Sequence, residues 1–324
     1  MRAFGPPEIC VQKLRSIQVL RGIAACAVVV LHAVPDVHSP VGVAGYGAFG
    51  VDLFFVISGF IMANVAVGRS AGQFLGDRIW RIYPLWWVAV VPWLFMVPRG
   101  TTSALASLSL WPIYADGYYV PVLKVGWTLS FELIFYGAMA LAIATRAWLP
   151  LLAYALLLAG ALTTASPLLH FVGSPMTLEF LMGVILAKLP NRPEAGVLIP
   201  VAIAALTFTS PGLGDVEASL GPTWGLTRAL EWGVPAAFIV WGALSLERLF
   251  QHRCFDIPVA IGDASYSIYL FHPLAAYGLA FEWPARLALA VSTGWAMHLL
   301  VERRLLVARK FLQNPRFRRS LQAT

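Results

Sequence analysis

An arginine and a histidine sit eleven positions apart in a stretch built otherwise of apolar and small residues. Arg21 and His32 are the only acidic or basic side chains in SIQVLRGIAACAVVVLHAV, residues 16–34. On a helix that separation brings them within roughly 20° of each other and about 16 Å apart along the axis. Ionisable groups inside a bilayer are costly and are kept where they line a polar path or site. The pair therefore reads as a polar track along one helix face. A neutral imidazole suits general-base work near neutral pH. The structural alternative is an Arg21 that snorkels to headgroups and a His32 that closes the helix end.

Three further clusters carry chemistry. GVDLFFVISGFIM places Asp52 just inside a second apolar run. A carboxylate there could orient and charge-stabilise His32 as the acid of a triad does, or simply answer a helix N-terminus. FLGDRIWRIYPLWW places Arg78 and Arg81 one turn apart, with Tyr83 and Trp80 nearby. Two guanidinium forks beside aromatics suit a phosphate-bearing ligand, and positive-inside anchoring accounts for arginines here as well. GWTLSFELIFYG holds Glu132 deep in an apolar run, with Tyr136 one turn later. Its partner must come from another helix or from water, and pairing with an arginine such as Arg21 is the rival to a catalytic role. Tyr269 and His272, in SYSIYLFHPL, are candidate cavity-lining residues. Arg228 and Glu231 read as a local pair three residues apart, and His298 and Glu302 as another four apart.

The elements that must position these residues are membrane helices. The chain has 324 residues, 59% hydrophobic and 12% charged, with mean hydropathy +0.74. Soluble chains carry about 25% charge. Apolar runs cover residues 16–34, 47–67, 82–98, 126–145, 148–166, 169–187, 196–210, 223–244, 258–280 and 285–302. The expected fold is all-α, a polytopic membrane protein of about ten transmembrane helices with both termini cytoplasmic. Under that layout most of the 23 basic residues fall in inside links and the tail. The same distribution turns the net charge of +7 away from nucleic acid. The expected organisation is a cytoplasmic segment 1–15, a membrane domain 16–304 and a basic tail 305–324 lying along the inner leaflet. The first run reads as a retained helix, not a cleaved signal. The link at 99–125 holds Trp111, Tyr114, Tyr118 and Tyr119, as interfacial anchors or as a re-entrant segment near a sugar-sized ligand. Cys10, Cys26 and Cys254 form no disulfide or metal-binding pattern.

In this order the segments resemble the integral-membrane acyltransferase type 3 family, the O-acyltransferases of bacterial surface polysaccharides. SIQVLRGIAACAVVVLHA is similar to the family's first helix, with its arginine and histidine at Arg21 and His32. GVDLFFVISGFIM, RIWRIYPLWW, WTLSFELIFY and SYSIYLFHPL match later family segments. The resemblance implies transfer of an acyl group, most simply acetyl from acetyl-CoA, to a sugar hydroxyl in the bacterial inner membrane. It implies His32, Asp52 and Glu132 as catalytic, and Arg21, Arg78, Arg81 and Tyr83 as binders of the acyl-CoA donor. Trp127, Tyr269 and His272 become contacts for a polysaccharide or lipid-linked sugar, with no metal. His32 serves either as general base or as acyl carrier, oriented by Asp52. The chain resembles the stand-alone members that lack an appended SGNH-type domain. A proton-coupled carrier is the rival reading, because buried Arg, His, Asp and Glu fit one too.

Overall fold

The computed structural model describes residues 14–34, 45–97, 100–112, 121–148, 151, 167–210, 222–278 and 282–313. Among the described residues every regular element is helical. The order begins α1 (Arg15–Ala33), α2 (Phe49–Val65), α3 (Ala71–Met96), α4 (Thr101–Ser109) and α5 (Trp127–Thr145). It continues with α6 (Pro167–Val172), α7 (Thr177–Leu186), α8 (Leu198–Leu206), α9 (Pro222–Arg228) and α10 (Val234–Ser245). The last elements are α11 (Asp256–Asp263), α12 (Ser265–Gly278), α13 (Trp283–Met297) and α14 (Arg303–Gln313). Two π-helical turns, Ala229–Gly233 and His298–Glu302, join α9 to α10 and α13 to α14.

Among the described residues four helices are long and apolar enough to cross a membrane by length and composition: α1, α2 with its leading turn, α3, and α5 with its leading turn. Several of the other expected spans are interrupted. The run at 169–187 is split into α6 and α7, and that at 258–280 divides at Ala264 between α11 and α12. The run at 148–166 lies outside the described residues except for Trp148 and Leu151, as do residues 1–13, Tyr114, Tyr118, Tyr119 and the tail beyond 313. The described part of the tail continues as α14, whose Arg309 forms an ion pair with Asp77 of α3.

One boundary moves for a clear local reason. The apolar run predicts a third span from residue 82, yet α3 begins at Ala71. Ser70 and Gln73 form a reciprocal capping box, the Ser70 side chain accepting from the Gln73 backbone and the Gln73 side chain from the Ser70 backbone. Arg78 and Arg81 therefore stand two to three turns inside a helix instead of in a link.

Small residues let backbones meet. A Cβ on Gly59 of α2 would strike the Phe180 carbonyl of α7, and one on Gly183 of α7 would strike the Val56 carbonyl of α2. This reciprocal contact is the close approach that small residues permit between membrane helices. The central helix α1 is gripped likewise on two sides. Gly47 and Gly50 lie against its Ala27 and Ala24 carbonyls, and Gly262 of α11 against its Gln18 carbonyl. Gly183→Leu should therefore lower the thermal midpoint of the detergent-solubilised protein, by the equivalent of about 1–3 kcal/mol for overpacking. Gly76→Ala, which meets open space, should leave it unchanged or raise it, because alanine is the better helix former.

Candidate functional site

A cavity of about 160 Å³ lies between α1, α2, α3, α5 and α12. Its wall carries Arg21 from α1, Ser58 from α2, Arg78 and Arg81 from α3, Glu132 and Tyr136 from α5, and Tyr266 and Tyr269 from α12. The helical period explains the selection: Arg78 and Arg81, and likewise Glu132 and Tyr136, are three or four apart and share a face. The structure thus brings together five of the residues singled out from sequence, Arg21, Arg78, Arg81, Glu132 and Tyr269.

The charges in this wall are unevenly matched. Arg81 is paired with Glu302 at 2.6 Å and lies over the Tyr266 ring, 5.2 Å from its centroid. Glu302 is oriented in turn by Ser267 at 2.7 Å and by His298 at 2.8 Å, the i,i+4 pair its spacing suggests. Glu132 accepts a 2.6 Å hydrogen bond from Ser58. Arg21 and Arg78 make no hydrogen bond or ion pair among the described residues, and the Nε of Arg78 is buried without a partner. The wall itself holds three guanidinium groups and one carboxylate, Glu132, with Glu302 and Asp263 acting from behind it, which leaves the cavity set for an anion.

His32 lies beyond the cavity wall. Its Nδ1 is 2.8 Å from the Val28 carbonyl and 3.2 Å from Nε2 of His272. The Nδ1 of His272 is in turn 2.8 Å from the Tyr269 carbonyl. A carbonyl only accepts, so each Nδ1 carries the proton, and Nε2 of His272 accepts from Nδ1 of His32. That assignment, made from the hydrogen-bond network, makes Nε2 the basic nitrogen of His32. Tyr269 stands between the two regions: its ring lines the cavity, its carbonyl fixes His272, and its hydroxyl is held by Thr128 and the Val125 carbonyl.

Three other expected site residues lie away from the cavity. Asp52 is not the partner of His32. It lies fully buried against Arg228, whose Nε and Nη2 reach its two oxygens at 3.0 and 2.8 Å. Glu179, also fully buried, stands beside this pair, and neither of its carboxyl oxygens has a hydrogen-bond partner among the described residues. Arg228 consequently pairs across helices with Asp52, while Glu231, the expected local partner, points outward and is exposed. Tyr83 lies outside the cavity, because two residues from Arg81 is about 200° around the helix. Its hydroxyl donates to the Ser109 carbonyl and ties α4 to α3. Trp127 packs in an aromatic cluster with Phe55 and Phe131, while its neighbour Thr128 faces the cavity.

Glu179 and Tyr266 were not singled out as site residues. Glu179 was detectable as an acid inside TLEFLMGVIL, whereas Tyr266 had no signal beyond its closeness to Tyr269. Among the described residues no group of three His, Cys, Asp or Glu side chains could hold a metal ion.

The sequence comparisons agree with this bundle. A family model described as an acyltransferase domain matches residues 14–297. The chain belongs to the integral-membrane acyltransferase type 3 family, and is a transferase of acyl groups other than aminoacyl groups. It is 35% identical over 289 residues to the exopolysaccharide production protein ExoZ of Rhizobium meliloti (strain 1021), covering 80% of this chain and 90% of that protein. It is 25% identical over 334 residues to BcsY of Komagataeibacter xylinus, called a putative membrane-bound transacylase, covering 89% of this chain and 82% of that one. No solved structure matches.

The buried charge cluster makes its own prediction. Arg228→Met leaves two carboxyls buried without their cation and should destabilise the protein by about 3–5 kcal/mol. Adding Asp52→Asn to Arg228→Met should recover much of that loss. Thermal unfolding of the three proteins in detergent, followed by intrinsic tryptophan fluorescence, checks both expectations.

Proposed function

We propose that this protein is a multi-pass inner-membrane O-acyltransferase of about ten spans, both termini cytoplasmic. It moves an acyl group, acetyl in the simplest case, from acyl-CoA to a hydroxyl of an exopolysaccharide sugar. The observation that carries this reading is the cation-rich cavity whose far wall, at Tyr269, positions a histidine pair. Arg21 and Arg78, without carboxylate partners, are the natural holders of the donor's diphosphate. The relative named for exopolysaccharide production supports the acceptor class.

In the proposed step the sugar hydroxyl oxygen attacks the thioester carbonyl carbon. The new C–O bond forms as the C–S bond breaks. His32 Nε2 takes the hydroxyl proton and passes it to the departing thiolate, giving free CoA thiol. The positive charge gained by His32 is shared through Nδ1–H with the Val28 carbonyl and His272 Nε2. His272 thereby takes the orienting role expected of Asp52. Glu132, held by Ser58, sets the local charge beside the two unpaired arginines. Tyr269 must shift for a thioester to pass from the cavity to His32.

The test uses sealed membranes containing the protein, [14C]acetyl-CoA on the cytoplasmic side and a host glycan extract. Label should appear in alkali-labile ester on the glycan and fall about 10²-fold or more in His32→Ala, the scale of a lost general base. Equal labelling in the two proteins would sink His32 as the base. Label retained on the protein when acceptor is omitted would establish instead a covalent route through an acyl-histidine. Glu132→Gln should lower the labelling rate, measured in the same assay at matched expression.

A further inference from the structure

A second pocket, of about 310 Å³, opens beside the cavity at the C-terminal ends of α2 and α5. Arg69 comes to it from the turn after α2, Arg146 and Trp148 from the end of α5, and Lys188 from the end of α7. These are three separate links, each assigned from its charge to the same membrane face. Lys188 covers one side of the Trp148 ring at 5.5 Å, yet Trp148 remains 46% exposed. Arg69 shares its carboxylate partner, Asp77, with Arg309. Arg146 is held at φ 53°, in the left-handed region. Glycine would occupy that helix end without strain, so an arginine is kept there against a conformational cost.

Size and position narrow the ligand. The cavity, at about 160 Å³, falls short of the roughly 300 Å³ at which pockets begin to hold a whole drug-sized ligand. A CoA thioester is larger still, so part of it must lie elsewhere. The second pocket continues directly from the first: Met62 and Tyr136 line the cavity, and Ala63 and Met139, at most one turn on, line the pocket. Arg69 lies seven residues beyond Met62 and Arg146 ten beyond Tyr136, about 10–15 Å along the helices. That is the span between a diphosphate and the far side of its nucleoside. A half-exposed indole beside three cations is suited to a base that stacks and a phosphate that pairs.

We propose that this pocket binds the nucleotide end of the donor, its adenine against Trp148 and its 3′-phosphate among Arg69, Arg146 and Lys188. The assignment rests on the acyl-CoA reading above and deepens it. The probes are CoA and 3′-dephospho-CoA, bound to the full-length protein in nanodiscs of phosphatidylcholine, which bears no net charge. Wild type should bind CoA about tenfold more tightly than dephospho-CoA. Arg146→Gly with Lys188→Ala, which removes both charges while relaxing the backbone, should abolish that preference and leave dephospho-CoA affinity unchanged. CoA binding with no preference in wild type, or a preference that survives in the variant, overturns the pocket and leaves the donor reading standing. No CoA binding by wild type overturns both. A variant that changes only the retention of phosphatidylglycerol, in nanodiscs containing that lipid, makes this a lipid-headgroup site and also overturns the proposal.

Discussion

A charge taken out of water must meet its opposite or leave the fold unstable, and that constraint sorts nearly every polar residue in this bundle. Arg228 is matched by Asp52 with Glu179 beside it, and Arg81 by Glu302. Arg15, at the start of α1, bonds Asp256 and the backbone around Phe250, while Glu247 receives the α1 backbone. Against this background Arg21 and Arg78 stand out, since their cavity supplies too few carboxylates. A low-dielectric wall magnifies that imbalance, which is why a small excess of positive charge suffices to define an anion site.

The polar groups can be held this closely because the apolar ones are so small. Glycines at 47, 50 and 262 bring neighbouring backbones onto α1, and α1 carries both Arg21 and His32. Gly233, in the π-helical turn, faces the Glu179 side chain directly. The second π-helical turn contains both His298 and Glu302. Such turns inside helices recur at functional sites, and here each carries or touches a buried carboxyl.

How much of this was legible depended on whether the signal lay within one helix or between two. The face shared by Arg78 and Arg81, and the His298–Glu302 pair, are properties of a single helix and follow from its period. So does the exclusion of Tyr83, whose offset from Arg81 points it to the opposite face. Asp52 pairs with Arg228, which comes from α9, and nothing in one sequence says which helix lies beside which. The start of α3 was readable in Ser70 and Gln73, but hydropathy alone hides it, since the first turns are polar. Arg69, Arg146 and Lys188 counted only as markers of sidedness until the fold gathered them around one hollow.

The spacing on α1 has a consequence for selectivity. The helical rise sets the axial distance from Arg21 to His32 at about 16 Å, and backbone contacts on two sides hold the helix in place. The helix then works as a gauge. Any one ligand that seats an anionic group at the arginine and a reactive carbon at the histidine must have a linker of that length. Ligands are screened by the length of their linker before the identity of the group at its end is tested.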